Sequence, residues 1–200
     1  MKDDYSTSYT LLNRACSSND SIAWDELIGL YKQYIYVIIR SMNISQADAD
    51  DVQQQVLLQL WKYLPSFDKN REGTKFRYWL SRVTRNQAIN FLRKQKSYES
   101  KLDKAKNHEE QGGLDDISPD LEERERKEWE LFISNKAMDN IREHFSEKAL
   151  SAFALTRKGL KPNEISSQIG VSADSVYKYV SRIKLKLIEE IKYLRAELDF

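Results

Sequence analysis

The sequence predicts an all-α protein of two small helical domains joined by a flexible linker. Three observations carry this expectation. Apolar residues recur three or four apart through most of the chain, no segment reads as a β-hairpin, and between residues 97 and 117 periodicity fades into Lys, Glu, Asp, Asn and the pair Gly112-Gly113. Two hundred residues suit two domains of below-average size. The expected division is a first domain over 1–96, a linker over 97–117 and a second domain over 118–200.

The elements follow in order. Residues 1–20 are polar and turn-rich, although Tyr9 to Leu12 could begin a helix. Ser21 is the expected N-cap of the next helix, with Asp25 and Glu26 suited to the positive end of its dipole. Ile22, Leu27, Leu30, Tyr31, Tyr34, Ile35, Ile38 and Ile39 then mark a buried helix over 22–42, with Trp24 at its core or rim. Asn43-Ile-Ser-Gln is a turn, and a further helix runs over 46–64. At 100° per residue, Val52, Val56, Leu57, Leu60, Trp61 and Leu64 share one face of it. Asp51, Gln54, Gln55, Leu58 and Lys62 lie opposite, within about 60° of one direction. A Leu ringed by Asp, Gln and Lys fits a docking surface with an apolar contact inside a polar rim. It also fits a solvated face, since a lone exposed Leu needs no partner. The pattern alone leaves both open.

Pro65 ends that helix, and residues 66–74 form a loop in which Gly73 supplies backbone freedom. The next helix is basic and aromatic together. Phe76, Leu80, Val83, Ala88, Phe91 and Leu92 make its core stripe, leaving Arg77, Arg82, Arg85 and Lys94 exposed or half-exposed, with Tyr78 and Trp79 among them. Basic groups attract phosphates whatever the sequence, and aromatic faces stack on unpaired bases at roughly 1–3 kcal/mol each. This interleaving points to single-stranded nucleic acid, although Phe76 and Trp79 also read as plain core.

Past the linker, Ser118 caps a helix with Pro119 at its first position. That acidic helix passes through Trp129, Leu131, Phe132, Met138 and Ile141 to about Phe145, with a break near Ser134, and a shorter one covers 147–157. The last segment has the pattern of a helix-turn-helix. Ile165 and Ile169 anchor the first helix, small Ser166 permits a close crossing, Gly170 makes the turn, Val171 fills the corner and Ser172 caps the second helix. Val176, Tyr179, Val180, Ile183 and Leu187 face inward. Asp174, Ser175, Lys178, Ser181 and Arg182 face outward, where a recognition helix reads base edges in the major groove.

Composition narrows the function classes. The net charge of +1 conceals a polar layout: residues 69–96 carry a net +8, and residues 97–130 a net −6. Cys16 is the single cysteine, which excludes an internal disulfide and a Cys-rich zinc site. His108 and His144 are both remote from it in sequence, so no Cys–His nucleophile is expected, and neither metal nor cofactor is expected. No apolar run approaches the roughly 20 residues of a membrane span. The polar start Met1-Lys-Asp-Asp-Tyr5 lacks the apolar region of a signal peptide. A cytoplasmic protein without membrane insertion is expected.

Two stretches together carry a family resemblance. The first is Ala49-Asp-Asp-Val-Gln-Gln-Gln-Val-Leu-Leu-Gln-Leu-Trp-Lys62, then Phe67-Asp68, then Phe76-Arg-Tyr-Trp-Leu-Ser-Arg-Val-Thr-Arg-Asn-Gln-Ala-Ile-Asn-Phe-Leu-Arg93. The second is Gly159-Leu-Lys-Pro-Asn-Glu-Ile165 with Ser175-Val-Tyr-Lys-Tyr-Val-Ser-Arg182. The chain thereby resembles a minimal two-domain sigma factor of the extracytoplasmic-function type. Four departures stand out: Gln55 where the family commonly has Glu, Leu57 where it has Phe, Ile141-Arg-Glu-His-Phe-Ser146 in place of a Leu-Pro turn, and Ser166 in place of Ala.

The resemblance implies a promoter-specificity subunit, not itself an enzyme, whose partners are core RNA polymerase, promoter DNA and an anti-sigma factor. Asp51, Gln54, Gln55, Leu58 and Lys62 would dock on the polymerase clamp helices. Phe67, Asp68, Asn70, Lys75, Arg77, Tyr78, Trp79, Arg82 and Arg85 would hold the melted minus-10 strand with a flipped base. Asp174, Ser175, Lys178, Ser181 and Arg182 would read the minus-35 duplex. Two rivals stand beside this reading. One is a conventional helix-turn-helix regulator that binds its operator without polymerase. The other is a nucleic-acid enzyme, which the absence of a His or Cys constellation disfavours.

Overall fold

The structure, a computed structural model, describes residues 5–16, 20–67, 75–102 and 119–198, and no strand occurs among them. Eight α-helices are described: α1 Tyr5–Cys16, α2 Ser21–Ser41, α3 Gln46–Tyr63, α4 Phe76–Leu102, α5 Pro119–Ile141, α6 Glu147–Arg157, α7 Pro162–Ile169 and α8 Ala173–Leu198. Short 3-10 turns follow α3 at Leu64–Ser66 and α5 at Arg142–His144. Contacts divide the chain into two units, one of Met1–Phe132 with Glu197–Phe200 and one of Ile133–Ala196.

In the first unit, α2 supplies the central stripe. Ala23, Leu27, Tyr31, Tyr34, Ile35, Ile38 and Ile39 are buried at helical spacing. Asp20, rather than Ser21, is the N-cap, its carboxylate accepting from the Ala23 amide at 2.9 Å. A carboxylate suits the unpaired amides and positive dipole of a helix start, and Ser21 becomes the first helical residue. Asn43 turns the chain with φ +61°, a left-handed conformation that Asn tolerates better than most residues. Ser45 then caps α3 by accepting from the Asp48 amide. Ala49, Val52, Val56 and Leu60 of α3 and Phe76, Leu80 and Ala88 of α4 complete the core.

The expected second domain began at residue 118, yet the portion of α5 up to Phe132 belongs to the first unit. The reason is aromatic packing. Trp129 lies edge-on to Tyr34 with ring centroids 5.0 Å apart, and Phe132 packs on the same ring at 5.4 Å. Such pairs contribute roughly 0.5–1.5 kcal/mol each beyond their burial. The expected break near Ser134 is absent, since α5 is continuous to Ile141. The expected linker is also shorter at its start, because α4 extends through Leu102; residues 103–118, including the Ser118 cap, lie outside the described residues.

The second unit has two linked core clusters. Ile141, Ala149, Phe153 and Ile183 form one, with Tyr179, Val180 and Leu187 against it. Ala152, Ile165 and Val176 form the other, flanked by Ile169 and Val171. Pro162 opens α7, and Glu164 reaches back to accept from the Lys161 amide at 2.7 Å. Gly170 ends the helix at φ +64°, and the Val171 amide bonds back to the Ser166 carbonyl.

Candidate functional site

The outer stripe of α3 is placed as the helical wheel requires. Asp51, Gln54, Gln55, Leu58 and Lys62 are all exposed, and Leu58 is 69% exposed. The opposite face is buried by Val52, Val56 and Leu60, so rotation of α3 is fixed by its core side. Trp61 departs from the expected inward face: it is half-exposed, edge-on to Trp24 at 4.9 Å. Gln53 is the unexpected buried polar group. Its amide donates to the Lys32 carbonyl at 2.7 Å, tying α3 to α2 and meeting the hydrogen-bond demand that burial imposes.

On α4 the aromatics are mostly structural neighbours of one another. Phe76 is buried; Phe67 and Trp79 are half-buried against it, with Phe67 5.2 Å from Trp79 and 5.6 Å from Phe76. Lys75, Arg77, Tyr78, Trp79 and Arg82 are each partly exposed. Asp68, Asn70 and the Gly73 loop lie outside the described residues.

Arg85 was expected exposed or half-exposed but is buried. Its side chain is 10% exposed and forms an ion pair with Glu128 of α5. Glu128 also accepts from the Ser41 hydroxyl at 2.5 Å. The physical reason is a second buried face on α4. Small Ser81 and Ala88, with Thr84, let another helix approach, and Arg85 sits on that side. Arg77 lies over two rings, that of Tyr78 at 4.5 Å and that of Trp129 at 5.2 Å. Burial pushes the Glu125 carboxyl above its ordinary range, outweighing the charges of Arg85 and Arg82. Burial likewise pushes the Tyr34 phenol well above its usual value.

On α8, Asp174, Lys178, Ser181 and Arg182 are exposed along one side. Ser175 is half-buried and shares the helix cap, its amide donating to the Ser172 hydroxyl at 3.2 Å. Tyr177 is 62% exposed beside them and was not singled out by its sequence. Its spacing of three from Asp174 and four from Ser181 was the available signal.

The Sigma-70 region 2 family model matches residues 27–98, which hold most of α2, all of α3 and most of α4. Over 77 residues the chain is 32% identical to the ECF RNA polymerase sigma factor SigW of Bacillus subtilis (strain 168), covering 38% of this chain. Residues 27–98 are thus similar to Sigma-70 region 2, and the chain shares a 77-residue stretch of similarity with an extracytoplasmic-function sigma factor. The match spans about two fifths, 40%, of that curated relative's length. Two solved structures are also similar. One is of CnrH in complex with the cytosolic domain of CnrY, with 19% identity, TM-score 0.37, and 92% of this chain and 96% of that one covered. The other is of the sigma factor RpoE with the anti-sigma factor NepR from Bartonella quintana, with 20% identity, TM-score 0.35, and 84% and 96% covered.

On α4, the sequence missed the partners that α5 provides. Glu128 and Trp129 read as members of an acidic helix, and the small-residue stripe of Ser81, Thr84 and Ala88 was the signal that a helix packs there. Among the described residues, no group of three or more His, Cys, Asp and Glu is placed to hold a metal ion. No described helix is long and apolar enough to cross a membrane.

Proposed function

We propose that the chain binds core bacterial RNA polymerase as a sigma factor and directs promoter-specific transcription initiation. The observation that carries this is the α3 stripe within region 2. Leu58 projects 69% exposed from a ring of Asp51, Gln54, Gln55 and Lys62, whereas Ala49, Val52, Val56 and Leu60 on the other side of the helix are buried. A polar rim around an apolar contact is the composition of a protein interface. In this reading α4 meets the melted minus-10 strand through Lys75, Tyr78, Trp79 and Arg82, with Phe67, Asp68 and Asn70 of the preceding loop. The outward side of α8 reads the minus-35 duplex through Asp174, Lys178, Ser181 and Arg182, with Ser175 at the cap. The chain acts by binding rather than by catalysis, and an anti-sigma factor that covers the Leu58 stripe is a natural means of control.

Run-off transcription with core polymerase tests the reading. The protein is expected to direct initiation from specific promoters, and Asp51→Arg combined with Leu58→Arg to abolish core binding while leaving helicity and melting unchanged. Failure of the wild-type chain both to bind core and to stimulate any promoter sinks the proposal. The alternative, a helix-turn-helix regulator acting alone, is favoured by the well-formed second unit. It predicts tight duplex binding without polymerase and insensitivity to the Leu58 substitution.

A further inference from the structure

The reading of α4 as a strand-binding helix meets a difficulty in the structure, because two of its arginines are occupied from within the chain. Arg85 is ion-paired to Glu128, and the Arg77 guanidinium lies over the Trp129 ring at 5.2 Å. Both partners come from one turn of α5, in a segment rich in Glu: residues 122, 123, 125, 128 and 130 are all glutamates. The segment is fastened by Trp129 and Phe132 against Tyr34 and by the Ser41 hydroxyl on Glu128. A carboxylate on Arg85 takes the place a phosphate oxygen would hold, and the Trp129 face takes the place of a stacked base on Arg77.

We propose that residues 121–132 are an internal acidic cover for the basic face of α4, and that strand binding at Arg77 and Arg85 requires their release. The proposal rests on α4 being a strand-binding surface. The cover lowers the apparent affinity by the fraction of molecules in which α4 is open, so weakening it raises affinity without adding any contact to nucleic acid. It also lowers the number of phosphates that the free chain can neutralise, which shows as a shallower salt dependence.

The test uses the full chain and fluorescein-labelled oligo(dT), which presents phosphates and stackable bases without promoter sequence. Glu128→Gln is expected to bind it about tenfold more tightly than wild type. Its slope of log affinity against log salt should be steeper by about 0.7 for the one phosphate that Arg85 gains. Because Glu128→Gln strips a buried partner from Arg85, the wild-type protein is also followed by amide hydrogen exchange. On adding oligo(dT), residues 121–132 should exchange faster while the buried amides of α2 do not change. Equal affinity of the two proteins, or unchanged or slower exchange over 121–132 in the bound wild type, overturns the cover. Absence of oligo(dT) binding by either protein overturns the strand-binding reading of α4 and the cover with it.

Discussion

Arg85 shows how burial changes the meaning of a charge. A guanidinium that is 10% exposed is held by a carboxylate that is 8% exposed, and removing one member strands the other away from water. Glu128→Ala is therefore expected to lower the stability of the first unit by about 3–5 kcal/mol, read from urea unfolding. Glu125 behaves differently. Its carboxyl is pushed above its ordinary range, so the folded chain holds that proton at pH values where the unfolded chain has lost it. Its contribution is greatest below the ordinary carboxylate range and falls as pH rises through the elevated value. Glu125→Gln should remove this part of the pH slope and unfold no earlier than wild type at neutral pH, as urea midpoints measured across the acid range will show. Gly170 is a backbone case. A Cβ there would meet nothing within 4 Å, but φ is +64°, so Gly170→Ala should cost about 1–2 kcal/mol through conformation alone.

At the scale of elements, α3, α4 and α8 each present a face whose opposite side is fixed by packing. For α3 and α8 that orientation was legible in sequence, because one apolar stripe settles which residues point away from it. Val56 and Leu60 put Leu58 outside, and Val176 and Ile183 put Lys178 and Arg182 outside. For α4 it was only half legible. Phe76 and Leu80 define one buried side, but Ser81, Thr84, Arg85 and Ala88 define a second made of small and polar residues, which hydropathy reads as surface. Trp61 failed for the converse reason: a large aromatic reads as core, while here Trp24 covers part of it and leaves it 52% exposed. On α8, Tyr177 is mostly exposed and packs in neither core cluster. Tyr177→Ala should leave melting unchanged and weaken binding to a minus-35 duplex by about 1–3 kcal/mol, measured by fluorescence anisotropy.

For the whole molecule, two units on one chain change the arithmetic of recognition. If each unit holds one promoter element, binding of the first makes the second an intramolecular event. In complex with core polymerase, DNA carrying both elements is then expected to bind roughly 10²–10⁴-fold more tightly than DNA carrying either one. A titration against single-element DNA checks this, and equal affinities would mean that only one unit engages DNA. The division of the chain also has a physical basis. Phe132 closes the first unit by packing on Tyr34, and the second begins at Ile133.

The sequence by itself determined the all-helical class, the helix-turn-helix, the outer stripe of α3 and the net charge of each stretch. These depend on neighbours three or four residues away, or on composition, and such information is local. Only the tertiary structure decided which charges are free. Arg85 and Glu128 lie 43 positions apart, and no periodicity links them; they meet because Trp129 and Phe132 seat α5 against α2. A helical wheel gives the direction of a side chain. What waits for it in that direction is set by packing between distant segments.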